Sequence, residues 1–105
     1  MFDIKAKVQN LRKSKSYFSN GYSPAFQVTD NYSTSGRITL INQDKLNYQE
    51  TADAYIQFLT PEVYPNTMWI GRVLYFTEGN LITGSAVVKE IYNPILKKPD
   101  LVLHR

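Results

Sequence analysis

The sequence contains no cysteine. That single absence excludes disulfides, thiolate metal sites and a cysteine nucleophile together. Histidine is nearly absent too: His104 is the only one and stands beside the last residue. A lone terminal imidazole reads as solvated. It cannot build a histidine-rich zinc site, and a Ser-His-Asp arrangement would have to recruit it. Asp and Glu are scattered, so the sequence proposes no carboxylate pair for acid–base work. No apolar run approaches the ~20 residues that cross a bilayer. The opening Met1-Phe2-Asp3-Ile4-Lys5 lacks the basic segment and apolar stretch of a signal peptide. These absences predict a cytoplasmic protein that is not an enzyme, with no metal, no cofactor and no membrane partner.

Negative charge is also missing locally. From Ile4 to Thr29 there is no Asp or Glu, while Lys5, Lys7, Arg12, Lys13 and Lys15 all fall there. The whole chain carries a net charge of only +3, so the excess is a matter of distribution. A local surplus of this sort attracts phosphate or acidic protein surface. A solvated strand face followed by a basic loop gives the same pattern.

What is present is a β-forming sequence. At 105 residues, with 43% hydrophobic and 20% charged residues, the chain has room for one soluble domain and one modest core. Phe2, Ile4, Ala6 and Val8 alternate with polar residues, the pattern of a half-buried strand. A second run, Tyr22 to Thr29, places Phe26 and Val28 on one face; Pro24 near its start suits an edge or the beginning of a strand. Ser33-Thr34-Ser35-Gly36 reads as punctuation before the β-branched run Arg37 to Ile41, and Asn42 to Thr51 reads as a loop. Ala52 to Leu59 carries Ala54, Ile56 and Phe58 on one face before Pro61. Met68 to Phe76 is apolar at nearly every position, Glu78-Gly79-Asn80 is a turn, and Ile82 to Tyr92 closes the series. About six short strands and no convincing helix predict an all-β sandwich or barrel. Residues 1–96 form the expected domain and 97–105 a C-terminal tail.

Several of these segments resemble the last domain of the bacterial elongation factor Tu family. Gly21, Tyr22, Pro24 and Phe26 reproduce its Gly-Tyr-x-Pro-x-Phe segment; Gly36, Ile38 and Leu40 match its Gly-x-Ile-x-Leu strand. Ile56 to Pro61 is similar to its apolar strand before a proline, and Glu78, Gly79, Gly84, Val87 and Val88 keep the spacing of its closing turn and strand. The resemblance spans residues 2–92. It implies a single closed six-stranded antiparallel β-barrel and a non-catalytic, translation-linked binding module that contacts tRNA or a protein partner.

The chain also departs from that family. It has no Gly-x-x-x-x-Gly-Lys-Ser/Thr loop, so no GTP binding is expected. The family's middle barrel and its Gly-Gly-Arg-His-Thr-Pro-Phe loop have no counterpart, and Asn80 and Leu81 stand where the family has glycine and arginine. Arg12, Lys13 and Lys15, with Glu78, Gly79 and Asn80, are the candidate partner- or RNA-binding residues. The alternative is an immunity- or antitoxin-like interaction protein that imitates the elongation factor's surface.

Eight tyrosines, five phenylalanines and one tryptophan exceed what a small core needs. Tyrosine and tryptophan suit interfaces, and aromatics near basic residues suit RNA. Tyrosines cladding a β-surface fit equally well. Oligomeric state stays open.

Overall fold

The computed structural model describes residues 1–99; His104 and the end of the expected tail lie outside the described residues. Among the described residues eight strands follow one another: β1 (Ile4–Asn10), β2 (Phe18–Ser19), β3 (Ala25–Thr29), β4 (Tyr32–Leu40), β5 (Lys45–Leu46), β6 (Thr51–Phe58), β7 (Val73–Glu78) and β8 (Leu81–Ile91). Six of them close into a barrel in the order β1-β6-β4-β3-β7-β8, every neighbouring pair antiparallel. The helical content of the described residues is a single 3₁₀ turn, Pro61–Val63. The expected all-β closed barrel is therefore the observed fold.

Alternation is what closes it. Ile4, Ala6 and Val8 of β1 are buried, as are Ile38 and Leu40 of β4 and Ala54, Ile56 and Phe58 of β6. Each strand thus turns one set of side chains into the bore. Where three strands lie side by side, small residues meet: Ala6 opposes Ala54 on one side and Val88 on the other, while Val8 opposes Ala86. The room this leaves is filled by rings. Phe26 and Phe76 are wholly buried with centroids 5.2 Å apart, and Phe58 meets Phe26 edge-on at 5.5 Å.

Both ends of the bore are stoppered. The connections β1–β3 and β4–β6 cross one end and pair there as the two-stranded β2–β5 sheet, which drives Phe18 and Leu46 into the core. At the other end Tyr64, Met68 and Leu96 are buried. Asp3 ties this end together: its carboxylate accepts from the Phe58 amide at 2.7 Å and from Asn93 Nδ2 at 2.9 Å.

Three segments differ from the sequence expectation. Ser33–Gly36 is not punctuation but the first half of β4. Gly36 is there for space, since a Cβ on it would lie 2.6 Å from the Phe26 ring. The 42–51 segment contains β5, whose two residues gain a partner only through the distant β2. From 68 to 76 only Val73 onward joins the barrel, because Gly71, at φ 91°, turns the chain before it. At the Glu78-Gly79-Asn80 turn Gly79 alone has positive φ, 61°, where a two-residue II′-type hairpin loop takes glycine.

Candidate binding surface

The basic loop and the Glu78 turn, far apart in sequence, meet at the end of the barrel that carries the β2–β5 sheet. Arg12 spans the gap. Its Nε and Nη2 donate to Glu78 Oε2 at 3.1 and 2.8 Å, and its Nη1 donates to the Tyr17 carbonyl at 2.6 Å. The guanidinium also lies 4.8 Å from the Tyr22 ring centroid. The Tyr22 hydroxyl donates to the same Glu78 oxygen and bonds Thr83 Oγ1 at 2.8 Å. The residues that carry the Gly-Tyr and Glu-Gly resemblances are therefore joined by one carboxylate.

The charges in this cluster support one another. Hydrogen bonds from Tyr22 and Arg12 hold the Glu78 carboxyl below its ordinary value of 4.5. Burial works against the Arg12 charge, but the hydrogen bonds and charges of Glu78 and Tyr22 together outweigh it and the pKa rises. Burial, reinforced by Glu78, raises that of Tyr22. A carboxylate with a depressed folded pKa stabilises above its unfolded pKa, and that contribution is lost as pH falls through the folded one. Glu78→Gln is therefore expected to lower the thermal midpoint at pH 7. The gap from the wild type should hold down to about pH 5, then narrow as Glu78 protonates. A gap independent of pH from 3 to 7 would show that the pairing contributes nothing. The effect is small, since 46% of the Glu78 side chain is exposed.

Arg12 is thus a clamp and not a free cation, which changes its part in the expected site: removing it costs structure as well as charge. Lys13 and Lys15 are exposed, and Lys15 sits at φ 59° in the turn that the clamp holds. Lys13 lines a cleft of about 340 Å³ with Arg12, Ser14, Ser16, Glu78, Leu81 and Thr83. Gly79 and Asn80 are exposed at the hairpin tip.

Three contributors escaped sequence reasoning. Asn10 is completely buried; its Nδ2 donates to the carbonyls of Ser16 and Leu46, both at 2.9 Å, and its Oδ1 accepts from the Arg12 amide at 3.0 Å. It fastens the basic loop to β5 from beneath. Tyr17 is exposed, and Lys45 reaches to 5.0 Å from its ring centroid. Both were visible as a tyrosine and a lysine, but only β2–β5 pairing puts them together.

A second exposed surface runs along the β7–β8 hairpin. Val73, Tyr75, Leu81 and Ile82 are each about half exposed, and Trp69 and Ile70 continue the strip beyond the start of β7. Among the described residues no group of three His, Cys, Asp or Glu could hold a metal ion. No helix among them is long and apolar enough to cross a membrane. No protein-family model matches the sequence, and no curated protein matches it.

Proposed function

We propose that this barrel is a non-catalytic, translation-linked binding module that contacts the phosphate backbone of structured RNA, with tRNA the class its resemblance to the elongation factor Tu family indicates. The observation that carries this reading is the clamped basic loop. Arg12 is tied down by Glu78 and the Tyr17 carbonyl. Lys13 and Lys15 are thus presented on a loop ordered in advance, with Tyr17 and Lys45 beside it. Phosphate contact by lysines is salt-dependent, and each contact adds about −0.7 to −0.9 to the log–log slope. A preordered loop loses less entropy on binding than a floppy one.

The test is tRNA binding by filter retention across a salt series. Replacing Lys13 and Lys15 with Gln should flatten the slope by about 1.4–1.8 while leaving the thermal midpoint unchanged. No retention at low salt, or a slope untouched by the double variant, would remove the RNA reading.

One observation favours a second reading. The half-exposed apolar strip on β7–β8 has the aromatic character of a protein interface. An interaction protein that imitates the elongation factor's surface, immunity- or antitoxin-like, would dock through it. Tyr75→Glu, which places a charge in the strip, would then abolish partner capture and leave tRNA retention intact.

A further inference from the structure

Trp69 is the only tryptophan in the chain, and it lies at the end of β7 away from the basic loop. The Arg72 guanidinium is 5.1 Å and the Lys98 ammonium 5.2 Å from its ring centroid. Arg72 is held in place, donating from Nη1 to the Thr67 carbonyl at 2.5 Å and from Nη2 to the Val28 carbonyl at 2.6 Å. It is partly buried, which lowers its pKa, and among the described residues no carboxylate pairs with it. Lys98 makes no side-chain hydrogen bond among the described residues, while its backbone amide is fixed to the Met68 carbonyl at 2.7 Å. With Met68 bonded in turn to the Leu96 carbonyl at 2.8 Å, the two segments that carry the ring and the ammonium are stapled together.

These groups open onto a cleft of about 340 Å³, whose other walls include Val28, Asn66, Thr67 and Asp30. An indole that is about half exposed suits a cationic guest or a stacked planar one, which here would share the ring with Arg72 and Lys98. Two resident cations repel the first. They favour a planar group that also carries negative charge, held at Lys98 and away from Asp30 in the same wall.

We propose that this cleft is a nucleotide site, with a base stacked on Trp69 and its phosphate at Lys98. The guest is either a free mononucleotide or one unpaired nucleotide of an RNA strand. The site does not rest on the basic-loop reading: the strand between them runs from Val73 to Glu78, roughly 20 Å at ~3.4 Å per residue, and each site has its own variants.

Because Trp69 is the sole tryptophan, its emission reports this cleft alone. AMP and a short oligoadenylate are titrated into the intact protein, excited where adenine does not absorb, with inorganic phosphate as the control. Saturable quenching by AMP assigns a free nucleotide; quenching by the oligomer alone assigns a strand. Lys98→Glu should weaken either response. Trp69→Ala should weaken binding of a labelled oligomer about 5- to 150-fold, whereas Trp69→Phe keeps a ring and should largely retain it. Lys13→Gln/Lys15→Gln should leave the quenching unchanged. Absence of saturable quenching by both ligands overturns the proposal, and so does binding that inorganic phosphate displaces equally well or that Trp69→Ala leaves intact.

Discussion

Replacing Gly84 with alanine is expected to destabilise the barrel more than an added methyl usually does, at or above the upper end of about 1–3 kcal/mol. A Cβ there would lie 2.0 Å from Phe76 Cζ and 2.5 Å from the Gln9 carbonyl oxygen. A ring can turn aside, but Phe76 is packed against Phe26, Phe18 and Tyr22. The carbonyl belongs to β1, which pairs with β8 through this residue's neighbour at Asn10–Gly84, so it cannot retreat without opening the barrel seam. A loss of this size lowers the thermal midpoint by roughly 10–20 °C. Adding Phe76→Leu should recover part of it by freeing the ring's space while the clash with the carbonyl remains. An unchanged midpoint for Gly84→Ala would mean that β1 and β8 can part at this seam without cost. Gly36→Ala should cost less, since the three atoms its Cβ would meet first belong to the side chains of Phe26 and Ile56 and not to the backbone.

Asn10→Ala is expected to cost about 2–4 kcal/mol, because removing the amide leaves the Leu46 carbonyl without its buried donor and frees the Arg12 amide. Chemical denaturation measures it. The same variant should weaken tRNA retention although it removes no charge, since the loop presenting Lys13 and Lys15 loses its tether to β5. Asn10→Asp should be at least as damaging: it turns a carboxylate toward the carbonyls of Ser16 and Leu46, which can only accept. A loss under about 0.5 kcal/mol for Asn10→Ala would show that water replaces the amide. Retention unaffected by a destabilising substitution would uncouple the loop's order from binding.

Asn10 and Gly36 mark the limits of what could be seen in advance. The strands were legible because a half-buried strand has a period of two, and Ile4, Phe26, Ile38, Ile56 and Val88 occupy the inward positions. The turn at Gly79 was legible because its chemistry is local. Asn10 carried no signal: a polar residue after an alternating run reads as the strand's exit, and its partners Ser16 and Leu46 are found only once β2 and β5 meet. Gly36 carried a misleading one, since a glycine after three small polar residues looks like a turn until the Phe26 ring is seen above it.

The candidate site divides in the same way. Composition and spacing by themselves determined an all-β chain without cysteine, a basic loop free of acids, and a glutamate turn some sixty-five residues further on. Side-chain period and turn chemistry are properties of neighbours in sequence, so they survive without coordinates. Which of those charges are spent was decided by tertiary structure alone. Closing the barrel brings Glu78 to Arg12 and Tyr22, which neutralises one cation and leaves Lys13 and Lys15 exposed. The backbone bonds of Met68 to Leu96 and Lys98 bring Lys98 beside Trp69, where Arg72 also lies. Electrostatic partnership depends on distance through space, and long-range pairings between segments distant in sequence set those distances.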